Sequence, residues 1–291
     1  GGWTQQKERL FLKAYGGVST AGSFHDTDGK LIAEKRFDVQ RPDDTVLTRV
    51  TETYDFTGIL GGVYGEYGLT DDLTLLLDVP VGYFELTRKN LVARQFASNL
   101  VTREQIDTVK SITSVSYYGL GARYRIGQSE KMTSSLSAMV RVPPGFSSPI
   151  INNPAYPFLS DGAFEVRGGL ELGFPASFGW AGISAMYNWR DEELKDELLI
   201  HAEAGFNKVE NAFFKVHLDV VQSMSSFNDV ADFEPNQTQL QENYLSAGAS
   251  FTLFFSKAWF VDIDYSVRVF GENTWNLSNI IVGTGLVLDG I

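Results

Sequence analysis

The sequence predicts an all-β chain, a transmembrane antiparallel up-and-down β-barrel of about twelve strands with short periplasmic turns and long extracellular loops. Three observations predict it. Apolar and polar residues alternate with a period of two along segment after segment, each about ten residues long and flanked by aromatics. Nowhere in the 291 residues do about 18 uncharged apolar residues run together, so a crossing by helix is excluded. A chain that crosses without helices has to close its sheet, because an open edge would leave N–H and C=O groups unpaired in hydrocarbon.

Residues 197–222 show the rule most plainly. Leu198, Ile200, Ala202, Ala204 and Phe206 form one face, and Glu197, His201, Glu203 and Gly205 the other. After the polar turn at residues 207–211 the pattern resumes, with Phe214, Val216, Leu218 and Val220 against Lys215, His217 and Asp219. The apolar set is assigned to lipid and the polar set to the lumen.

In chain order, residues 9–18 place Leu10, Leu12 and Ala14 outward and Arg9, Phe11, Lys13 and Tyr15 inward. A long polar excursion follows, with a hairpin-turn signal at Asp28-Gly29. Residues 51–65 carry Tyr54, Phe56, Leu60 and Tyr64 on one face and Thr53, Asp55 and Thr57 on the other; Asp55 is assigned inward, and Tyr54 and Tyr64 to the outer aromatic belts. After the tight turn at 69–72, Leu73, Leu75, Leu77, Val79, Val81 and Tyr83 face out against Thr74, Asp78, Gly82 and Phe84, and a bulge is expected at Pro80. Residues 115–126 point Tyr117, Arg123 and Arg125 inward, and the next strand Ser135, Ser137 and Arg141. Two more strands contribute Glu165, Arg167 and Glu171, then Ser184, Asn188 and Arg190. Beyond the 197–222 hairpin, residues 244–255 alternate through Leu245, Ala247, Phe251 and Leu253. The following strand sets Trp259, Val261, Ile263 and Tyr265 against Asp262, Asp264 and Arg268, and residues 276–288 close the barrel. Turns near 69, 128, 176, 209 and 257 are short, whereas loops near 35, 100, 153 and 232 are long, which sets the sidedness of one domain over residues 1–291.

A net charge of −12 without a basic stripe argues against nucleic acid as partner. The lipid bilayer and a small-molecule solute are the partners expected, the oligomeric state being left open. No nucleotide motif and no cofactor is indicated. Absence of cysteine agrees with an oxidising compartment. Without a leader segment or an initiating methionine, the chain is expected to be a processed or trimmed mature form.

Gly2-Trp3-Thr4-Gln5, together with the hairpin Tyr64-Gly65-Glu66-Tyr67-Gly68-Leu69-Thr70-Asp71-Asp72-Leu73-Thr74 and the later Pro80, resembles the outer-membrane β-barrel family of transporters assigned to the phenol meta-degradation pathway. These motifs cover a small part of the chain, so the resemblance speaks to fold before substrate. It implies a barrel in the bacterial outer membrane. One departure is the C-terminal Gly290-Ile291, where such barrels end in an aromatic residue; either the end is trimmed or the assembly signal is weaker.

The candidate lumen residues are Arg123, Arg141, Arg167, Arg268, His201, Glu203, Lys215, His217, Asp219, Asp262 and Asp264. Their signs nearly balance, which suits a paired network filling or lining a narrow pore more than a single-sign ion filter. With the hairpin turn centred on Val209, His201 is expected opposite His217, near enough to share a proton or a metal ion. Two histidines fall short of the usual three or four zinc ligands, and ordinary lumen polarity is the preferred reading. Ser223, beyond Asp219 on the same face, is the serine nearest to either lumen histidine, but no hydrolase motif surrounds it.

Two loops form the candidate constriction. In residues 90–109, Val92, Phe96 and Leu100 stand at helical spacing, which predicts a short amphipathic helix at the mouth. Residues 148–158, with Ile150, Ile151, Tyr156 and Phe158, are too apolar for water and are expected to fold inward or meet a partner. Function is therefore expected to be passive passage of small organic solutes, apolar or aromatic, with no enzymatic activity. The alternative is a non-conducting barrel whose outer loops dock a protein or surface polymer.

Overall fold

The computed structural model describes residues 2–26, 28–40, 46–96, 101–144, 163–191, 195–224 and 242–290. Its elements, in chain order, begin with β1 (Arg9–Ala21), β2 (Phe24–His25), β3 (Leu31–Ile32), β4 (Glu34–Gln40), β5 (Val46–Gly68) and β6 (Leu73–Phe96). There follow β7 (Val101–Val115), β8 (Tyr118–Gln128), β9 (Thr133–Val142), β10 (Glu165–Ala176), β11 (Gly179–Arg190) and β12 (Glu197–Val209). The chain ends with β13 (Ala212–Ser223), β14 (Asn243–Phe254), β15 (Trp259–Glu272), β16 (Thr274–Trp275) and β17 (Ser278–Asp289). Among the described residues there is no helix.

Twelve strands form a closed antiparallel ring, the expected fold. Its wall runs β5-β1-β17-β15-β14-β13-β12-β11-β10-β9-β8-β6, and β6 returns to β5. Pairing of β1 with β17, from Arg9↔Asp289 to Thr20↔Ser278, joins the first strand to the last, so no ring edge is left unpaired in lipid. The alternation decides the faces: Leu120, Leu136, Ile183, Leu218, Ile263 and Val282 stand out from the wall, each about half exposed.

β5 and β6 overshoot the ring. β4 pairs along the upper part of β5 and β7 along the upper part of β6, so a four-stranded sheet stands above the extracellular rim. This corrects the helix expected over residues 90–109. Positions four apart share a face in a strand as well as in a helix, since four is a multiple of both near-periods. Val92 lies opposite Val50, and Phe96 lies opposite Val46, on the extension. Leu100 lies outside the described residues, as do Ile150, Ile151, Tyr156 and Phe158.

The faces of β5 also differ from expectation. Tyr54, Phe56 and Tyr64 point into the barrel, and Asp55 points out, paired with Lys89 on the extension. Ile59 and Val63 supply the lipid face instead, 54% and 39% exposed. With aromatics inside and aliphatics outside, both faces of this strand are apolar and its alternation has no sign. At Pro80 the strand stays in register with β5, Gly62↔Pro80. The irregularity is in the neighbouring strand: pairing ends at Asp78↔Gly119 and resumes at Val81↔Val115, leaving Ser116 and Tyr117 looped past a proline that has no N–H to give. The Ser116 N–H donates to the Pro80 carbonyl at 2.8 Å.

Chain that is not part of the wall lies inside both ends of the ring. At the mouth, β2 and β3 fold in and pair with β16. They bury Phe24, 1% exposed, against Tyr54 and Trp275, with Phe56, Phe84 and Leu86 completing the cluster. At the periplasmic end, residues 2–6 lie across the inside of the wall. The Ser135 hydroxyl and the Arg123 guanidinium donate to the carbonyls of Gly2 and Trp3 at 2.5 and 3.2 Å, and the Gln5 amide donates to Glu66 at 2.7 Å. The Trp3 ring lies over Gly173, where a Cβ would fall 2.7 Å from it.

Candidate functional site: the lumen

Between these closures lie two cavities. The upper, of about 650 Å³, is lined by paired charges. Arg167 meets Glu165 at 3.0 Å, Arg190 meets Glu197 at 3.0 Å and Arg268 meets Glu242 at 3.0 Å. Arg141 reaches Glu165 at 3.5 Å while its guanidinium lies over the Tyr117 ring, 4.1 Å from the centroid; Arg268 stacks likewise on Tyr244 at 3.9 Å. Arginine suits these positions because its flat face stacks while its edge pairs.

Arg123 sits lower. It joins Glu171 at 3.1 Å and Glu66 at 3.2 Å, so one guanidinium ties β8 to β10, to β5 and to the N-terminal segment.

The lower cavity, of about 620 Å³, is lined by aromatic rings and charged groups in nearly equal number. Rings from Phe11, Phe254, Phe260, Phe213 and Trp180 follow one another around its wall. Its charges are Lys13, bonded to Asp262 at 2.6 Å, Lys215, 3.3 Å from Glu203, and the carboxylates Asp78 and Asp264. Lysines thus stand below and most arginines above.

The histidine hairpin joins the two cavities, in a register that corrects the expected one. A two-residue turn, Glu210-Asn211, replaces the five-residue turn, with Asn211 in the left-handed region at φ 61°. A slip between Phe206 and Val209 follows, and the pairs become His201↔Asp219, Glu203↔His217 and Gly205↔Lys215. Because the displacement is two residues, no side chain changes face. His201 Nδ1 bonds Asp219 at 2.7 Å, its Nε2 lies 3.5 Å from Glu203, and the two imidazoles stand 6.0 Å apart on a diagonal. Among the described residues no group of three or more His, Cys, Asp or Glu is placed to hold a metal ion. Ser223 lies opposite Glu197, four pairs beyond the His201↔Asp219 pair.

Residues that sequence reasoning passed over complete the lumen. Glu66 was hidden in a turn motif, Glu242 lies just outside a strand, and Trp180, Phe213, Phe254 and Phe260 were not gathered as a set. Their signal was present: each falls on the polar parity of its strand, where an aromatic is out of place unless it lines a cavity.

No protein-family model matches the chain, and no curated protein does. Among solved structures the chain is similar to the COG4313 outer membrane channel from Pseudomonas putida F1, at 12% identity, covering 99% of this chain and 98% of that one with a TM-score of 0.60. It is also similar to OccAB4 of Acinetobacter baumannii, at 8% identity over 98% and 99% of the two chains with a TM-score of 0.38. A FadL homologue of Pseudomonas aeruginosa is 10% identical over 97% and 90%, with a TM-score of 0.37. The first of these likenesses fixes the fold as that of an outer-membrane β-barrel; the other two are too distant to add to it.

Proposed function

We propose that the chain is a passive outer-membrane channel for small organic solutes, apolar or aromatic, moved by their own gradient. The observation that carries this reading is the pair of cavities stacked inside a closed wall and narrowed at each end by chain that is not part of the wall. The aromatic cluster at the mouth offers dry surface to an apolar ring and none to a hydrated sugar or ion, and rings contribute much of the lower cavity. Between them Arg141, Arg167, Arg268, His201, Asp219 and Glu203 present charges already satisfied by fixed partners. The resemblance to transporters of the phenol meta-degradation pathway points to the same class of solute, and the likeness to an outer membrane channel to the same kind of passage.

Uptake into liposomes of benzyl alcohol against sucrose, alongside planar-bilayer conductance, tests this. The parent protein is expected to admit the aromatic faster. If Ile150, Ile151, Tyr156 and Phe158 line the entry, deletion of residues 149–158 raises ion conductance and weakens selectivity. A docking role is favoured by one observation, the sheet above the rim with Leu91, Val101, Ile106 and Val109 exposed. If neither form passes any solute or current, the channel reading fails and docking stands.

A further inference from the structure

We propose that the lower cavity is a binding site for small aromatic cations of the arylalkylammonium type. This deepens the channel reading, on which it rests only for the route by which the ligand arrives.

The wall of the cavity is an arc of six rings, Tyr64, Phe11, Phe260, Phe254, Phe213 and Trp180. Successive centroids are 6.2, 5.4, 5.5, 5.2 and 5.8 Å apart. The arc crosses β17 and β12 where those strands carry glycine. A Cβ on Gly285 would fall 2.4 Å from the Phe260 ring, and one on Gly205 only 2.1 Å from Trp180. The rings lean over their neighbours' bare backbone and form one continuous surface facing the cavity. Space of about 620 Å³ holds a phenyl ring with a short chain.

Charge selects among aromatic ligands. Four carboxylates, Asp78, Glu203, Asp262 and Asp264, face two ammonium groups, Lys13 and Lys215. Both lysines are engaged, with Asp262 at 2.6 Å and with Glu203 at 3.3 Å. Asp78 accepts from the Tyr117 hydroxyl at 2.6 Å and has Arg141 at 3.9 Å from above. Asp264 has His217 Nδ1 at 3.8 Å, too far for a hydrogen bond. The second oxygen of Asp262 is sealed against Gly283 and does not face the cavity, so Asp264 is the carboxylate open to a ligand. More carboxylates than ammonium groups therefore line the cavity, and Asp264 has no partner within hydrogen-bond distance among the described residues, beside ring faces that attract cations. An aromatic ammonium ion supplies Asp264 with a donor and a charge. An aromatic carboxylate of the same shape meets like charge. The upper cavity has no such bias, because four arginines there oppose Glu165, Glu197, Asp219 and Glu242.

The test is calorimetric titration of the full-length protein in detergent micelles with phenethylammonium chloride and, separately, with hydrocinnamate, its anionic counterpart in shape. The ammonium ion is expected to bind at one site, roughly tenfold more tightly than the carboxylate. Asp264→Asn, which keeps the shape of the side chain, should remove most of that preference. Equal affinity for the two probes, or no binding of either, overturns the proposal without recourse to any variant. Liposome uptake separates the two readings: binding of the ammonium ion by a protein that admits no aromatic solute refutes the channel and supports the site. Uptake without preference for the ammonium ion in the titration refutes the site and leaves the channel.

Discussion

Replacing Arg123 by methionine asks whether the base of the lumen behaves as a dry core or as a watered passage. Its guanidinium makes bonds of 3.1 Å to Glu171, 3.2 Å to Glu66 and 3.2 Å to the Trp3 carbonyl, with 12% of the side chain exposed. Methionine fills much of the volume and leaves two carboxylates facing each other across β8. Ser137 still donates to Glu171, and Gln5 and Tyr64 to Glu66, so the loss is of charge rather than of every hydrogen bond. Removing one side of a buried ion pair costs about 3–5 kcal/mol, and a hydrogen bond to a charged group about 1.5–3 kcal/mol. The partial satisfaction places the expected loss at about 4 kcal/mol. Urea unfolding of the protein refolded into lipid vesicles, followed by tryptophan fluorescence, measures it. Adding Glu66→Gln and Glu171→Gln to the variant should restore most of the loss, since no charge is then left unpaired. Arg49→Met, which removes the partner of Asp38 on the exposed extension, should leave the midpoint unmoved. A loss below about 1 kcal/mol for Arg123→Met, the range of exposed pairs, would refute the reasoning and place water around the cluster.

Three further outcomes follow from the same geometry. Ile263→Arg, at a position 51% exposed on the lipid face, should destabilise by about 2–4 kcal/mol, while Ser184→Arg, on the lumen face beside His201, should be far milder; equal penalties would sink the assignment of faces. Gly285→Val forces the Phe260 ring aside and should cost about 1–3 kcal/mol in the same unfolding assay. Phe24→Ala should free the first loop from the mouth, and the bilayer recording should then show larger unit conductance than the parent.

The ring was legible because a two-residue period tells inside from outside wherever one face is polar. His201, Glu203, Lys215 and Asp219 reach the lumen however the hairpin is registered, since slips by two residues preserve parity. Register itself was not legible: it turns on Asn211 adopting a left-handed conformation and on a slip after Phe206, neither of which alternation records. β5 failed for a related reason. Tyr54 and Tyr64 are amphipathic rings that suit a headgroup belt as well as a lumen, and only their neighbours Glu52 and Glu66, to which their hydroxyls donate at 2.7 and 2.6 Å, show which side is meant. The extension above the rim was misread because apolar residues at every fourth position satisfy two geometries. The choice between them is made by pairing with Val46 and Val50, some forty residues away in sequence.

On the proposed reading, pairing, more than net charge, sets what this lumen can pass. A hydrated ion crossing the aromatic cluster at the mouth would give up water to surfaces that return no hydrogen bonds, and that penalty is large for any full charge. Within the upper cavity the same ion would find carboxylates and guanidiniums already bonded to each other, so displacing one partner costs nearly what its own binding returns. An apolar ring meets the opposite balance. It exchanges water for the faces of Phe, Trp and Tyr at both ends, and in the middle it can lie against Tyr117 and Tyr244, whose rings are covered on one side by Arg141 and Arg268. On the same reading the arginines, whose near balance with the acids the sequence already showed, keep the charged tier closed on itself, and the selective surface is the aromatic one that the polar parity of the strands concealed.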